Sequence, residues 1–116
     1  MAARSTLAAL YDQGLKDLVA TPARIPGRRC AWAVYSILTD RRDHLRQALA
    51  GEGIPTMIYY PRPLHLQPAF ERFGDGMGSL PISEGLSARV LSLPFHPYMD
   101  RDVAGRIIDA VARALK

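Results

Sequence analysis

The chain has 116 residues, 48% apolar and 22% charged, enough for one soluble domain with a single modest core. One cysteine, Cys30, excludes an intrachain disulfide and suggests a reducing cytoplasm; no apolar run reaches the ~18–20 residues of a membrane span, and the N-terminus lacks a signal peptide's apolar stretch. The formal charge of +4 comes mostly from arginines interspersed with acids, with Arg28-Arg29 and Arg41-Arg42 the only doublets, so no nucleic-acid-binding stripe is expected.

In chain order, residues 4–20 predict a helix, with Leu7, Tyr11, Leu15 and Leu18 on one face and Leu10 beside them. Thr21-Pro22 ends it, and Gly14 weakens its interior by ~1 kcal/mol relative to alanine. After the connector 23–29, Cys30–Leu38 predicts an interior strand, apolar on both faces and starting at a buried cysteine. Asp40 is the expected N-cap of the next helix, whose stripe is Leu45, Ala48 and Leu49 and whose C′ glycine is Gly51.

Ile54–Tyr60 predicts a second strand, which Pro55 either places at an edge or begins as its first residue. Residues 59–70, YYPRPLHLQPAF, are too rich in proline for a helix interior or central strand and too apolar for a solvated linker. Pro68 suits the first position of a short helix, PAFERF, that Gly74 ends, and GDGMGS is a flexible loop. A helix over Pro81–Val90, a strand over Val90–Leu93 and an Asp100-capped helix with a Val103, Ile107, Val111, Leu115 stripe complete the chain. The expected fold is α+β: a two-layer sandwich with a small three-stranded sheet and helices packed on it.

The candidates for chemistry are few. His44, His65 and His96 lie far apart and in no short ligand motif, so no metal site is expected. His44 suits a solvated helix position and His96 a turn near the last helix. No serine stands in a nucleophile-elbow motif, and GEG at 51–53 and GDGMG at 74–78 lack the strand–loop–helix setting of a phosphate loop. Any reaction that needs a pocketed amine has only Lys16 and Lys116 to use. Taken by residue type alone, His65 suits a buried structural histidine and Tyr59, Tyr60 and Phe70 suit packing.

The segment DRRDHLRQALAGEGI, followed by TMIYYPRPLHLQPAF and then PISEGLSARVLSLPFHPYMDRD, resembles the C-terminal small domain of the DegT/StrS-type pyridoxal-phosphate-dependent sugar aminotransferases, and RSTLAALYDQGLKDL resembles the helix that links their large and small domains. The resemblance covers essentially the whole chain. It implies the small-domain fold of fold-type I aminotransferases, with residues 1–22 as linking helix and 23–116 as small domain. It implies a parent enzyme that moves an amino group from glutamate to a nucleotide-linked ketosugar. In that family the Schiff-base lysine and the aspartate facing the pyridine nitrogen lie in the large domain, upstream of the linking helix. Neither Lys16 nor Lys116 matches the lysine motif, so this chain alone is expected to hold no cofactor and to be inactive, a detached domain that needs a large domain and tends to form homo-oligomers.

By the same resemblance His65 and Tyr60 shape the sugar-nucleotide pocket and Arg62 approaches substrate phosphate, while Tyr59 stands where the family pattern more often has histidine. The competing expectation is a standalone α+β binding or interaction module without catalysis.

Overall fold

A computed structural model describes all 116 residues. Four helices and two strands are present: α1 (Ala2–Leu15), β1 (Tyr35–Leu38), α2 (Arg42–Gly51), α3 (Pro81–Arg89), β2 (Val90–Leu93) and α4 (Arg101–Leu115). The α+β expectation holds, and the expected three-stranded sheet is corrected to two. β1 and β2 run antiparallel in the register Tyr35↔Leu93 to Leu38↔Val90. Single bridges extend the pair on both sides, Ala20 to Leu38 and Met57 to Ser92.

The expected strand over 54–60 is reduced to that one bridge at Met57, whose N–H and C=O both pair with Ser92 (3.1 and 2.8 Å). Pro55 before it and Pro61 and Pro63 after it have no N–H to extend a ladder. The expected strand over 30–38 keeps only its last four residues. Its first half turns aside at Trp32, which holds φ +52°. For a bulky residue that left-handed conformation costs about 1–2 kcal/mol, offset here by aromatic packing. The buried indole lies 5.8 Å from the Tyr35 ring and 6.3 Å from Phe95, and the Arg24 guanidinium caps it at 4.3 Å. Cys30, expected to be buried, is exposed beside this turn. β2, not β1, is the strand covered on both faces, with Leu91, Ser92 and Leu93 buried.

The core joins α1, α2, α4 and both strands, and α3 buries no residue in it. Leu7, Ala8, Tyr11 and Leu15 of α1 meet Tyr35 and Ile37 of β1, Leu45 and Leu49 of α2, and Ala104, Ile107, Ala110 and Val111 of α4. In the α4 stripe Ile107 and Val111 are buried and Val103 is exposed. Burial of the tyrosines is made affordable by donors that find acceptors: Tyr11 Oη donates to Pro94 O (2.7 Å) and Tyr35 Oη to Asp12 Oδ1 (2.6 Å). Desolvation pushes both phenols well above the usual range, assisted at Tyr35 by Asp12.

Helix ends differ in detail from expectation. α2 begins after Arg41, with Asp40 outside the cap and 4.0 Å from Arg89. At its other end Gly53, not Gly51, takes the left-handed position (φ +75°). Gly53 N–H donates to Ala50 O and Ile54 N–H to Leu49 O, the paired bonds of a Schellman motif. Asp100 does stand at the N-cap of α4, but its side chain makes no capping bond. The expected PAFERF helix is instead a 3-10 turn at Glu71–Phe73, preceded by another at Leu64–Leu66.

Candidate functional site

The proline-rich segment leaves the sheet after Met57 and does not rejoin regular structure until α3. Its prolines fix φ, and Pro63 and Gln67 on either side of the Leu64–Leu66 turn are extended. Against α3 it forms two clefts, of about 550 and 590 Å³, that share Arg62, Pro63 and Ser87. Arg42, Met77 and Glu84 line the first, and Tyr60, Leu64 and Leu86 line the second.

The four sequence-predicted residues divide. Tyr60 and Arg62 come together on the cleft wall, both exposed. Tyr59 points elsewhere, into a separate depression of about 240 Å³ with Val34, Met57 and Phe95. The two tyrosine rings meet edge to face at 5.6 Å. His65 is turned inward, 8% exposed, with Nε2 donating to Glu84 Oε2 at 3.2 Å. Since an ionised carboxylate only accepts, Nε2 carries the proton.

Two residues that sequence reasoning passed over complete the walls. Glu84 accepts three donors: His65 Nε2, Gly78 N–H at 2.8 Å and Leu80 N–H at 3.0 Å. The Gly78 amide foremost, then the Leu80 amide and His65, holds its carboxyl below the usual glutamate range. A glutamate in the first turn after Leu80-Pro81 is the available signal, since such a side chain can reach back to the cap amide. Arg42 is nearly buried, and its Nη1 donates to Ser87 O (2.9 Å) and Val90 O (3.1 Å), fastening the start of α2 to the end of α3. Nothing in the one-dimensional pattern marks that contact, which spans 45 residues.

The remaining histidines lie away from the clefts. His44 is exposed on α2, as expected, and its Nε2 also meets Ala114 O at 2.9 Å. His96 lies exposed in the turn before α4. No group of three potential metal ligands is present, and no helix is long and apolar enough to cross a membrane.

Residues 1–112 match the DegT/DnrJ/EryC1/StrS aminotransferase family. Among similar proteins, the dTDP-3-amino-3,4,6-trideoxy-alpha-D-glucose transaminase of Streptomyces venezuelae is 43% identical over 93% of this chain and 29% of its own length. The erythromycin biosynthesis sensory transduction protein EryC1 of Saccharopolyspora erythraea is 39% identical over 92% of this chain and 30% of its own. Among solved structures, S. venezuelae DesV in complex with a ketimine intermediate superimposes with TM-score 0.94 at 41% identity, over 99% of this chain and 32% of that one. A DegT DnrJ EryC1 StrS aminotransferase from Brucella abortus gives 0.92 at 44% identity, over 99% and 31%. The chain thus spans about 30% of the length of the relatives it matches.

Proposed function

This chain belongs to the DegT/DnrJ/EryC1/StrS aminotransferase family, and on that basis we propose that it is the small domain of a sugar aminotransferase, supplying substrate-pocket walls rather than the reacting amine. Residues 1–22 serve as the linking helix and 23–116 as the small domain. The parent reaction is amino transfer from glutamate to a nucleotide-linked ketosugar in the cytoplasm. The observation that carries this reading is the meeting of Tyr60 and Arg62 on one cleft wall, in a chain that matches the family over nearly its whole length.

Arg62 offers a guanidinium suited to the substrate diphosphate, and Tyr60 offers a ring and a hydroxyl to the nucleotide or sugar. His65 shapes the pocket from behind, through the backbone it holds, and Tyr59 supports Tyr60 edge-on.

The family's cofactor is pyridoxal phosphate. The residues present here do not fit it. Lys16 is exposed just past α1, in a surface depression with Asp17, Asp40, Arg41 and Arg89, and Lys116 is exposed at the last position. Neither lysine lines the clefts beside Tyr60 and Arg62. We assign the cofactor to a large domain, carried on the same polypeptide or a separate one, and a homo-oligomer as the working assembly.

The test is a domain exchange. Substituting these residues for the matching 29% of the S. venezuelae transaminase should leave an enzyme active on its own substrate. In that hybrid Arg62→Ala should raise KM for the nucleotide sugar by about tenfold while leaving the bound-cofactor absorbance unchanged. A hybrid that folds and binds cofactor but has no activity, or an Arg62→Ala hybrid with unaltered KM, contradicts the reading.

A further inference from the structure

The excursion from Ile58 to Ser79 carries most of both cleft walls, yet its attachment to the fold is narrow. Its backbone bonds are local: Leu66 N–H to Pro63 O, Gln67 to Leu64, Phe70 to Gln67, Phe73 to Phe70, Gly74 to Glu71 and Ser79 to Gly76. Its remaining side-chain bonds, Gln67 to Arg62 O and Ser79 to Gly76 O, are local too. Of its large side chains, Tyr60, Leu64, Phe73 and Met77 are exposed, and Ile58, at its root, is the one that packs against the core. Every hydrogen bond that ties these 22 residues to the rest of the chain ends on the carboxylate of Glu84, from His65 Nε2 and from Gly78 N–H. The same carboxylate takes Leu80 N–H at the start of α3.

His65 is held on its other side by Gly74. A Cβ at position 74 would lie 3.0 Å from His65 Cβ and 3.3 Å from its carbonyl oxygen, so the two turns close on each other without a gap.

We infer that Glu84 is a positioning residue, a single clasp that fixes the proline-rich segment and the glycine loop against α3 and so sets where Tyr60 and Arg62 stand. Three charge-assisted bonds converge on one side chain that is itself rooted in a regular helix. Proline stiffening lets one fastening serve a long segment, because little backbone freedom remains between Tyr60 and His65. The clasp stands on the geometry of this chain alone; only its consequence for substrate rests on the proposed function.

Amide hydrogen exchange on the whole chain tests it, without ligand. In Glu84→Ala, amides over 61–80 should exchange about tenfold faster or more, Gly78 and Leu80 among them, while the core amides of α1 and α4 keep their wild-type rates. Glu84→Gln, which retains a carbonyl acceptor without the charge, should fall between. His65→Ala removes one of the three bonds and should release 61–73 while Gly78 and Leu80 stay protected; it decides the matter if Glu84→Ala does not fold. Wild-type exchange over 61–80 in Glu84→Ala, or over 61–73 in His65→Ala, overturns the inference. So does an acceleration spread evenly over the chain. Arg62→Ala should leave exchange unchanged. If it weakens nucleotide-sugar use in the hybrid enzyme while the clasp variants show no local release, the pocket reading stands and the clasp fails; the converse separates them the other way.

Discussion

Glu84 and Gly74 illustrate how much one side chain, or the lack of one, decides in this protein. The Glu84 carboxyl is held below its usual range by the Gly78 amide foremost, with the Leu80 amide and His65 adding to it. A carboxyl depressed in the folded state contributes its stabilisation above the unfolded value and loses it as pH falls through the lower folded value. Protection of the 61–80 amides, corrected for intrinsic exchange, should therefore survive acidification into the ordinary glutamate range and disappear below it. The Glu84→Gln variant should show no such step. At Gly74 the constraint is steric, since the residue is extended (φ −113°) and any Cβ meets His65. Gly74→Ala should overpack that contact at a cost of about 1 kcal/mol, read as a lower denaturant midpoint, with faster exchange in the adjoining turns.

Between elements, α1 packs tightly on α4 at Gly14. A Cβ at Gly14 would lie 2.7 Å from both Cδ1 and Cγ2 of Ile108. By helix propensity alone Gly14→Ala should gain ~1 kcal/mol, but the overlap with Ile108 costs about 1–3 kcal/mol, so the variant should be no more stable than wild type and is expected to be less so by denaturant melts. Pairing it with Ile108→Val, which removes a methylene from the contact, should recover part of the loss. The helices and β2 were legible as elements because apolar spacing marked them, as in the Leu7, Tyr11, Leu15 stripe, helped by Pro81 at the start of α3 and Pro94 after Leu93; the ends were less so, and α1 stops at Leu15, short of the expected residue 20. Where they disagreed, tertiary contacts decided. Residues 30–34 have strand composition, but Trp32 gains more from Tyr35, Phe95 and Arg24 than from a ladder partner. The choice between Gly51 and Gly53 turned on two residues of helix length that no local pattern sets. Around the clefts, the resemblance rather than residue type singled out Tyr60 and Arg62, which stand on a wall, and His65, which lies turned inward; Arg42 reaches across 45 residues and carried no signal, and Glu84 carried only its place in the first turn of α3.

Considered entire, the chain carries a complete small core but leaves much apolar surface uncovered. Tyr60, Leu64, Phe70, Phe73, Ile82 and Leu86, all between 41% and 79% exposed, gather in the stretch that walls the clefts and the helix behind it. On the proposed function, this is the surface that a large domain or a second copy would cover. The purified chain should accordingly self-associate, with a sedimentation coefficient that rises with concentration; one fixed monomer value over a wide range contradicts this. The relatives are about three times longer than the segment they share with this chain. On the proposed function those 116 residues supply the pocket wall, and another part of the enzyme supplies the amine that holds pyridoxal phosphate. The most direct measurement is borohydride trapping of the pure chain with pyridoxal phosphate, followed by peptide mass analysis. The expected result is no stoichiometric pyridoxyl group on Lys16 or Lys116; a one-to-one adduct at Lys16, with turnover of an amino donor, would contradict the account.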